Sequence, residues 1–380
     1  MKQTFRILKM SAYIIILLSL SFVFGLTLFF NFAPQIGATS DGERLERIKA
    51  SPNYNGKTFI NTLPTTLSNP VKIMSKVGRK FFFDTEGREP KSIINTYPMD
   101  LETFNQVPDT DFGVLWLGHS TLLVKFEGKV ILFDPVFGER ASMFSFAGPK
   151  RFEYTNRIEI KDLPKIDAVI LSHDHYDHLD HYSIVELKDK VDRFYMPIGV
   201  GAHMEKWGLS ESQIYELDWW DEIKYDENLK LVLTPTRHFS GRGFSDRNMT
   251  LWGSWVVEGK NKKIFFGGDS GYFPGFKEIG EKYGPFDLCF LECGAYNELW
   301  SEIHMMPEET AQAATDLNSS LLMPIHWGKF NLALHHWKEP VTRLGVKAEE
   351  LNLQIATPEI GKLMIVSREV PQKKWWEAYE

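Results

Sequence analysis

Apolar positions fall into two patterns along this chain. Met10 to Phe30 runs without a charged side chain and is dominated by Ile, Leu, Phe and Val. A helix of that length, rising 1.5 Å per residue, reaches across the hydrocarbon core of a bilayer. Lys2, Arg6 and Lys9 precede it with no acid among them. The run exceeds the apolar part of most cleavable signal peptides, and the cleavage candidate Ile36-Gly37-Ala38 has a poor Ile at its first place. An uncleaved membrane anchor is therefore expected. Its basic flank puts the N-terminus in the cytoplasm and the body on the opposite side. Arg44, Arg47 and Lys49 beyond the span narrow that asymmetry, diluted by Asp41, Glu43 and Glu46.

Beyond the anchor the apolar runs are short and punctuated by Gly and Pro. Asn31 to Tyr54 is polar and reads as a linker with a short helix. Asn55 to Asp111 is irregular, broken by Pro64, Pro70, Pro90 and Pro98, with a helix over Val71 to Phe83 whose Phe81, Phe82 and Phe83 are expected in the core. From Phe112 onward strand and helix signals alternate. Leu122 to Phe137 reads as two strands joined at Glu127-Gly128-Lys129. Further strands are expected at 167–171, 193–197, 231–235, 251–258, 263–267, 287–292 and finally 321–324. Helices are expected at 180–187, 199–207, 276–283 and 307–317, the last opened by Pro307 with Glu308 and Glu309 in its first turn. The domain reading is a cytoplasmic tail and anchor (1–31), a linker and N-terminal arm (32–111), a catalytic body (112–365) and a C-terminal tail (366–380).

The chemistry sits where strands end. The apolar run Asp167 to Leu171 leads into SHDHYDHLD (172–180), which holds His173, His175, Asp177 and His178. Neutral imidazole and carboxylate together suit Zn²⁺ and related divalent ions. His173 and His175 leave the strand end together, while Asp177 and His178 come from the following turn, a split that favours two adjacent metals. His238, Asp269 and His326 follow three other strands. Strand ends of an α/β sandwich converge on one edge, so these residues are expected at one dinuclear centre. Asp134 and His119, at neighbouring strand ends, are candidates for orienting the imidazoles. His181, His335 and His336 are read as non-ligands, and Trp219, Trp220, Trp252, Trp255 and Trp327 as core. Cys289 and Cys293 are the two cysteines, both read as packed thiols. The net charge of −7 and the lack of a basic run argue against nucleic acid as a partner.

These residues, with WLGHST (116–121), GPKRF (148–152), LDWWDE (217–222), TLWGSW (250–255), FFGGDSGYF (265–273) and HWGKFNLALHHWKEP (326–340), resemble the metallo-β-lactamase superfamily and its N-acyl-phosphatidylethanolamine-hydrolysing phospholipase D family. The resemblance runs over roughly Val114 to Pro340 and does not include the membrane span. It implies an αββα sandwich and two zinc ions, one held by His173, His175 and His238, the other by Asp177, His178 and His326, with Asp269 bridging. Asp177 and Asp269 are then the expected catalytic carboxylates, and His304, with Tyr296 near it, is expected at the substrate. The implied activity cuts the distal phosphodiester of an N-acylated phosphatidylethanolamine, giving phosphatidic acid and an N-acylethanolamine, so phospholipid and membrane are the expected partners. A homodimer is allowed. A lactonase or other ester hydrolase on the same site is the alternative, and a membrane-tethered binding protein with a dead metal site is a reading from a different class.

Overall fold

The computed structural model describes residues 2–66, 70–83 and 85–380. Strands β1 (Gly113–Trp116), β2 (Leu122–Phe126), β3 (Lys129–Phe133), β4 (Ile166–Ile170), β5 (Val191–Pro197) and β6 (Ile214–Leu217) belong to one sheet. Strands β7 (Glu222–Lys224), β8 (Lys230–Thr234), β9 (Ser254–Glu258), β10 (Lys263–Phe266), β11 (Leu288–Glu292) and β12 (Leu322–Ile325) form the other. A last strand, β13 (Leu363–Ile365), returns to the first sheet and pairs antiparallel with β1, giving the orders β13-β1-β2-β3-β4-β5-β6 and β12-β11-β10-β9-β8-β7. The β2–β3 hairpin closes through Glu127 and Gly128, both at positive φ (49° and 71°), the conformation a tight two-residue turn requires.

Alternation along the strands builds the layers. Val114, Trp116, Leu122, Val124, Ile131, Phe133, Ala168 and Ile170 pack into the core between the sheets, where Phe133 meets Phe266 with ring centroids 4.7 Å apart. Their neighbours Leu115, Leu123, Leu132 and Val169 face the other way, into a second core with Ile184 and Leu187 of helix His181–Leu187 and Met204 of helix Gly201–Lys206. Phe276 and Ile279 of helix Gly275–Tyr283 and Ala311 and Ala314 of helix Pro307–Asp316 pack on the second sheet. The result is the αββα sandwich. Parallel β3–β4–β5 and β10–β11–β12 are covered on both faces over most of their length, which is why the buried stretches of these strands are predominantly apolar.

Several expectations change. Leu321–Pro324 is not the last strand, because β13 follows it; β6, β7 and the helix Glu339–Glu350 were not expected either. β6 and β7 are half exposed and mix charged with apolar side chains, so they carry no clear strand signal. The helix Pro70–Phe83 forms, but Phe83 is exposed rather than in the core, and the side chains of Phe81 and Phe82 lie outside those described. Residues 366–380 bring Trp375 and Trp376 into the core, with Trp375 stacked on Trp327 at 5.3 Å, directly behind the end of β12. Both cysteines are free and buried.

The N-terminal helix Lys2–Phe32 contains an apolar stretch, Thr4–Phe30, long enough to cross a membrane, and none of its described side chains is buried. At its end Phe29 stacks on Phe144 (4.9 Å) and Phe30 meets Phe244 (4.8 Å). Just beyond, the Gln35 carbonyl accepts from Nε and Nη2 of Arg242 at 2.9 and 2.8 Å, while Nη1 of the same guanidinium donates to the carbonyls of Asp174 and Leu179. One buried arginine thus links the exit of the helix to the histidine-rich loop.

Candidate metal centre

The loop after β4 is shaped by two buried carboxylates. Asp134, one residue past β3, accepts from Ser172 N–H (2.8 Å), Ser172 Oγ (2.6 Å) and His178 Nδ1 (2.7 Å). Asp174 accepts from Gly241 N–H (2.7 Å), Thr250 Oγ1 (2.8 Å) and His203 Nε2 (3.4 Å). Burial opposes a charge on Asp174, yet the hydrogen bonds from His203 and from the Gly241 N–H hold it well below the usual carboxylate range. The side chains of the loop are therefore aimed before any ligand arrives.

The outer bonds also choose tautomers. Ser172 Oγ donates to Asp134, so at 2.9 Å it accepts from His173 Nδ1, leaving His173 Nε2 bare. His178 Nδ1 donates to Asp134 and His238 Nδ1 to the Ile303 carbonyl (2.9 Å), so both Nε2 atoms turn inward. Asn61 of the N-terminal arm fixes the backbone of His238 from both sides, accepting from its N–H (3.1 Å) and donating to its carbonyl (2.8 Å). His173 Nε2 and His238 Nε2 then face His175 Nδ1 at 2.9 and 3.3 Å. Burial holds all three imidazoles below their ordinary value, in the neutral form that binds metal. His175 Nδ1 can donate to only one of two bare nitrogens, and a cation between the rings removes that conflict.

Asp269 joins the halves. Its Oδ2 lies 3.1 Å from His178 Nε2, 3.2 Å from His326 Nε2, 3.7 Å from His238 Nε2 and 3.8 Å from His173 Nε2, while its buried Oδ1 has no hydrogen-bond partner among the described residues. Donor atoms of His173, His175, His238 and Asp269 form one group able to hold a metal; those of His119, Asp177, His178 and His326 form another. All seven sequence-predicted ligands are thus brought together. In the second group burial works against charge on the rings; at His119 it prevails and lowers the imidazole to about 3, whereas at the other two the neighbouring carboxylates prevail, holding His178 well above its ordinary value and raising His326 to about 10. Asp177 and Asp269 are conversely held well below theirs by those imidazoles, again against burial. Positive charge is what this pocket favours, and an imidazole and carboxylate set of this kind suits a divalent cation.

Two residues enter beyond the expected set. His119, read as an orienting group, has its Nε2 3.0 Å from Asp177 Oδ2 and belongs to the second group itself. Glu292, the last residue of β11, was missed. Its Oε1 accepts from Ser270 N–H (2.8 Å) and its Oε2 from His304 Nδ1 (2.6 Å), and with Asp269, His304 and His326 it forms a third donor group. The same strand-end rule that singled out Asp269 applies to Glu292. His304 is thereby placed at the edge of the centre, where Glu292 raises its affinity for a proton against the opposing effect of burial. Tyr296 is not drawn in: its hydroxyl donates to Glu339 (2.7 Å), accepts from Arg343 (3.4 Å), and its ring stacks on His335. His181 packs on Trp207 and is in none of the groups. Trp219, Trp252, Trp255 and Trp327 are core, with Trp220 packed on it.

A sequence model described as "Beta-lactamase superfamily domain" matches residues 129–327. An uncharacterized protein of Mycobacterium tuberculosis is 40% identical over 336 residues, covering 86% of this chain and 87% of that one. The N-acyl-phosphatidylethanolamine-hydrolyzing phospholipase D 1 of Caenorhabditis elegans is 33% identical over 315 residues, covering 78% and 87%. Among solved structures, an isothiocyanate hydrolase from Delia radicum gut bacteria superposes with a TM-score of 0.53 at 22% identity, covering 66% of this chain and 98% of that one.

Proposed function

Because the chain belongs to the beta-lactamase superfamily, and within it to the family of the N-acyl-phosphatidylethanolamine-hydrolysing phospholipases D, we propose that this metal-dependent hydrolase is a membrane-anchored phospholipase D acting on N-acylated phosphatidylethanolamine, with phosphatidic acid and an N-acylethanolamine as products. The observation that carries the reading is the meeting of two donor groups at Asp269. His173, His175 and His238 would hold one zinc ion, Asp177, His178 and His326 the other, and Asp269 both. When bound, paired zinc ions supply Lewis acidity for attack of water on phosphorus and for departure of the alcohol oxygen.

The remaining steps fall to the chain. Asp134, Ser172 and the Ile303 carbonyl keep the imidazoles in the tautomer that presents Nε2 inward. Asp177 and Asp269, ionised in this surrounding, carry the negative charge that retains the cations. His304, with Nδ1 bonded to Glu292, has Nε2 left to hydrogen-bond a phosphoryl oxygen or to protonate the leaving oxygen. No serine or cysteine nucleophile is needed. Thr4–Phe30 would confine the enzyme to the bilayer that holds its substrate, with the N-terminus cytoplasmic and the body on the other side.

The test is a lipid assay on purified protein, wild type beside Asp269→Asn. Phosphatidic acid should form from N-acylated phosphatidylethanolamine, and the variant should lose at least a thousandfold in rate together with bound metal. Hydrolysis of a lactone panel with the lipid untouched would overturn the substrate assignment and leave the metal centre standing.

A further inference from the structure

We propose that two loops of the body, 141–149 and 241–247, enter the headgroup boundary of the bilayer that Thr4–Phe30 would cross, so that Phe144, Phe146 and Phe244 seat the body on the lipid surface. The inference rests on the reading of that stretch as a span, and not on the reaction.

Lys9 marks one end of the uncharged run 10–30. At 1.5 Å per residue the run rises to about 30 Å, the thickness of the hydrocarbon core. Phe29 and Phe30 therefore stand at its far boundary, and whatever touches those two rings lies at the same depth. Rings of the body do so in one continuous row. Phe144 stacks on Phe29 with centroids 4.9 Å apart, Phe146 follows Phe144 at 5.5 Å, and Phe244 meets Phe30 at 4.8 Å. Phe146 is 77% exposed and Phe244 85%. Large apolar rings gathered on a protein surface mark an interaction site, and the boundary between acyl chains and headgroups is the environment that such rings enter.

Hydrogen bonds hold both loops at the end of the helix. Gln35 Nε2 donates to the Met143 carbonyl at 2.9 Å, and the Gln35 carbonyl accepts from Arg242 at 2.9 and 2.8 Å. The first loop closes where the Ala141 N–H meets the Pro149 carbonyl (3.1 Å) and Arg140 Nη1 the Gly148 carbonyl (2.6 Å). In the second, Asp246 accepts from the N–H groups of Arg242 (3.0 Å) and Gly243 (2.8 Å), closing the turn that carries Phe244.

The charges are arranged to suit. Residues 141–149 include no charged side chain, and Arg140 and Lys150 are bridged across the base of their loop. Arg247 ends the second loop and is exposed. Apolar tips on basic bases put cations at the level of the lipid phosphates. The acids nearby are engaged: Asp246 in its own turn, Glu153 with Lys150 (3.2 Å) and Glu139 toward Arg157 (4.0 Å). Three rings are few beside the span, so they orient the body rather than attach it. Arg242 also binds the carbonyls of Asp174 and Leu179, so this seating fixes the histidine-rich loop relative to the lipid.

The experiment is depth-dependent fluorescence quenching with the full-length, metal-loaded protein in phosphatidylcholine and phosphatidylglycerol vesicles. Phe22→Cys, Phe146→Cys, Phe244→Cys and Val346→Cys each receive a nitrobenzoxadiazole label. Wild type is the blank, since both native cysteines are buried. Phe22 reports the span, and Val346, 58% exposed on the helix Glu339–Glu350, reports the body away from these loops. The vesicles carry a doxyl quencher either high on the acyl chain or near its end. Labels replacing Phe146 and Phe244 should lose about half or more of their emission to the shallow quencher, as expected for a depth of about 5–10 Å, and less to the deep one. The label replacing Phe22 should respond more to the deep quencher, and the label replacing Val346 to neither. Unquenched labels at both loops beside a quenched one at Phe22 overturn the proposal and leave the span standing. Blue-shifted but unquenched emission from the loops assigns their cover to a second copy of the chain and overturns it too, as does equal quenching at Val346. An unquenched label at Phe22 overturns the span and the proposal together.

Discussion

Asp134 touches no substrate in the reading above, yet it decides how His178 is presented. Its Oδ2 accepts from His178 Nδ1 at 2.7 Å and from Ser172 Oγ at 2.6 Å, and Ser172 in turn sets His173. Asparagine has the same shape, but its amide nitrogen cannot accept from a ring N–H and it carries no charge. Asp134→Asn should therefore weaken metal affinity about 10- to 100-fold, the range typical of partners behind metal-bound histidines, as measured by competition with a chromophoric chelator. A second prediction concerns Lys329. Its folded value is about 7, below the ordinary lysine value near 10.5. Between those values the unfolded chain binds the extra proton and the folded one does not, so stability rises as pH increases through that window. Below about pH 7 the cost of charging the buried amine in the folded state is present in full. Denaturant unfolding between pH 7 and 10, in phosphate-free buffer, should show a rise in stability that Lys329→Met lacks.

At the scale of elements, the centre depends on sharp exits from strands. Gly268 follows β10 at φ +56°, and a Cβ there would lie 2.6 Å from Ser172 Cβ and 3.2 Å from the Gly253 carbonyl. Gly268→Ala combines a left-handed backbone with a collision against the residue that sets two histidines. It should lower stability by about 2 kcal/mol or more and release metal; calorimetric melting and metal analysis check both. The same scale explains what could be read in advance. Strands β3, β4, β10 and β11 carry the apolar runs 130–133, 168–170, 264–266 and 288–291 because both faces are covered there, and their ends carry the chemistry. That rule located His173, His175, Asp177, His178, His238, Asp269 and His326. It applies equally to Glu292, where it was not used. β6, β7 and β13 escaped because they are three or four residues long and only partly buried. The Glu292–His304 pair spans 12 residues and leaves no periodic trace, and the tautomers rest on outer partners such as the Ile303 carbonyl that no spacing reveals.

For the whole molecule the decisive relation is between the apolar helix and the body. The described side chains of Thr4–Phe30 make no core, whereas the body has continuous cores of its own. The connection is made just past the helix, where the Gln35 carbonyl accepts from Arg242 and the Pro34 carbonyl from Trp207 Nε1 at 2.7 Å. A chain lacking residues 1–32 keeps both contacts and should fold. It should also leave the membrane fraction, since the remaining apolar surface at Phe144, Phe146 and Phe244 is small beside the span removed. Confinement to a surface raises the effective concentration of a lipid substrate held in it. The truncated protein should therefore match the full chain within about twofold on a monomeric short-chain N-acylated lipid. On vesicles of the long-chain lipid it should be slower by about tenfold or more, the loss that a mM-scale effective concentration makes reasonable. Flotation on a density gradient and the paired assays measure the two effects separately. A truncated protein that still floats with vesicles would place membrane binding in the body, and equal loss on both substrates would mean that the helix supports the catalytic fold itself.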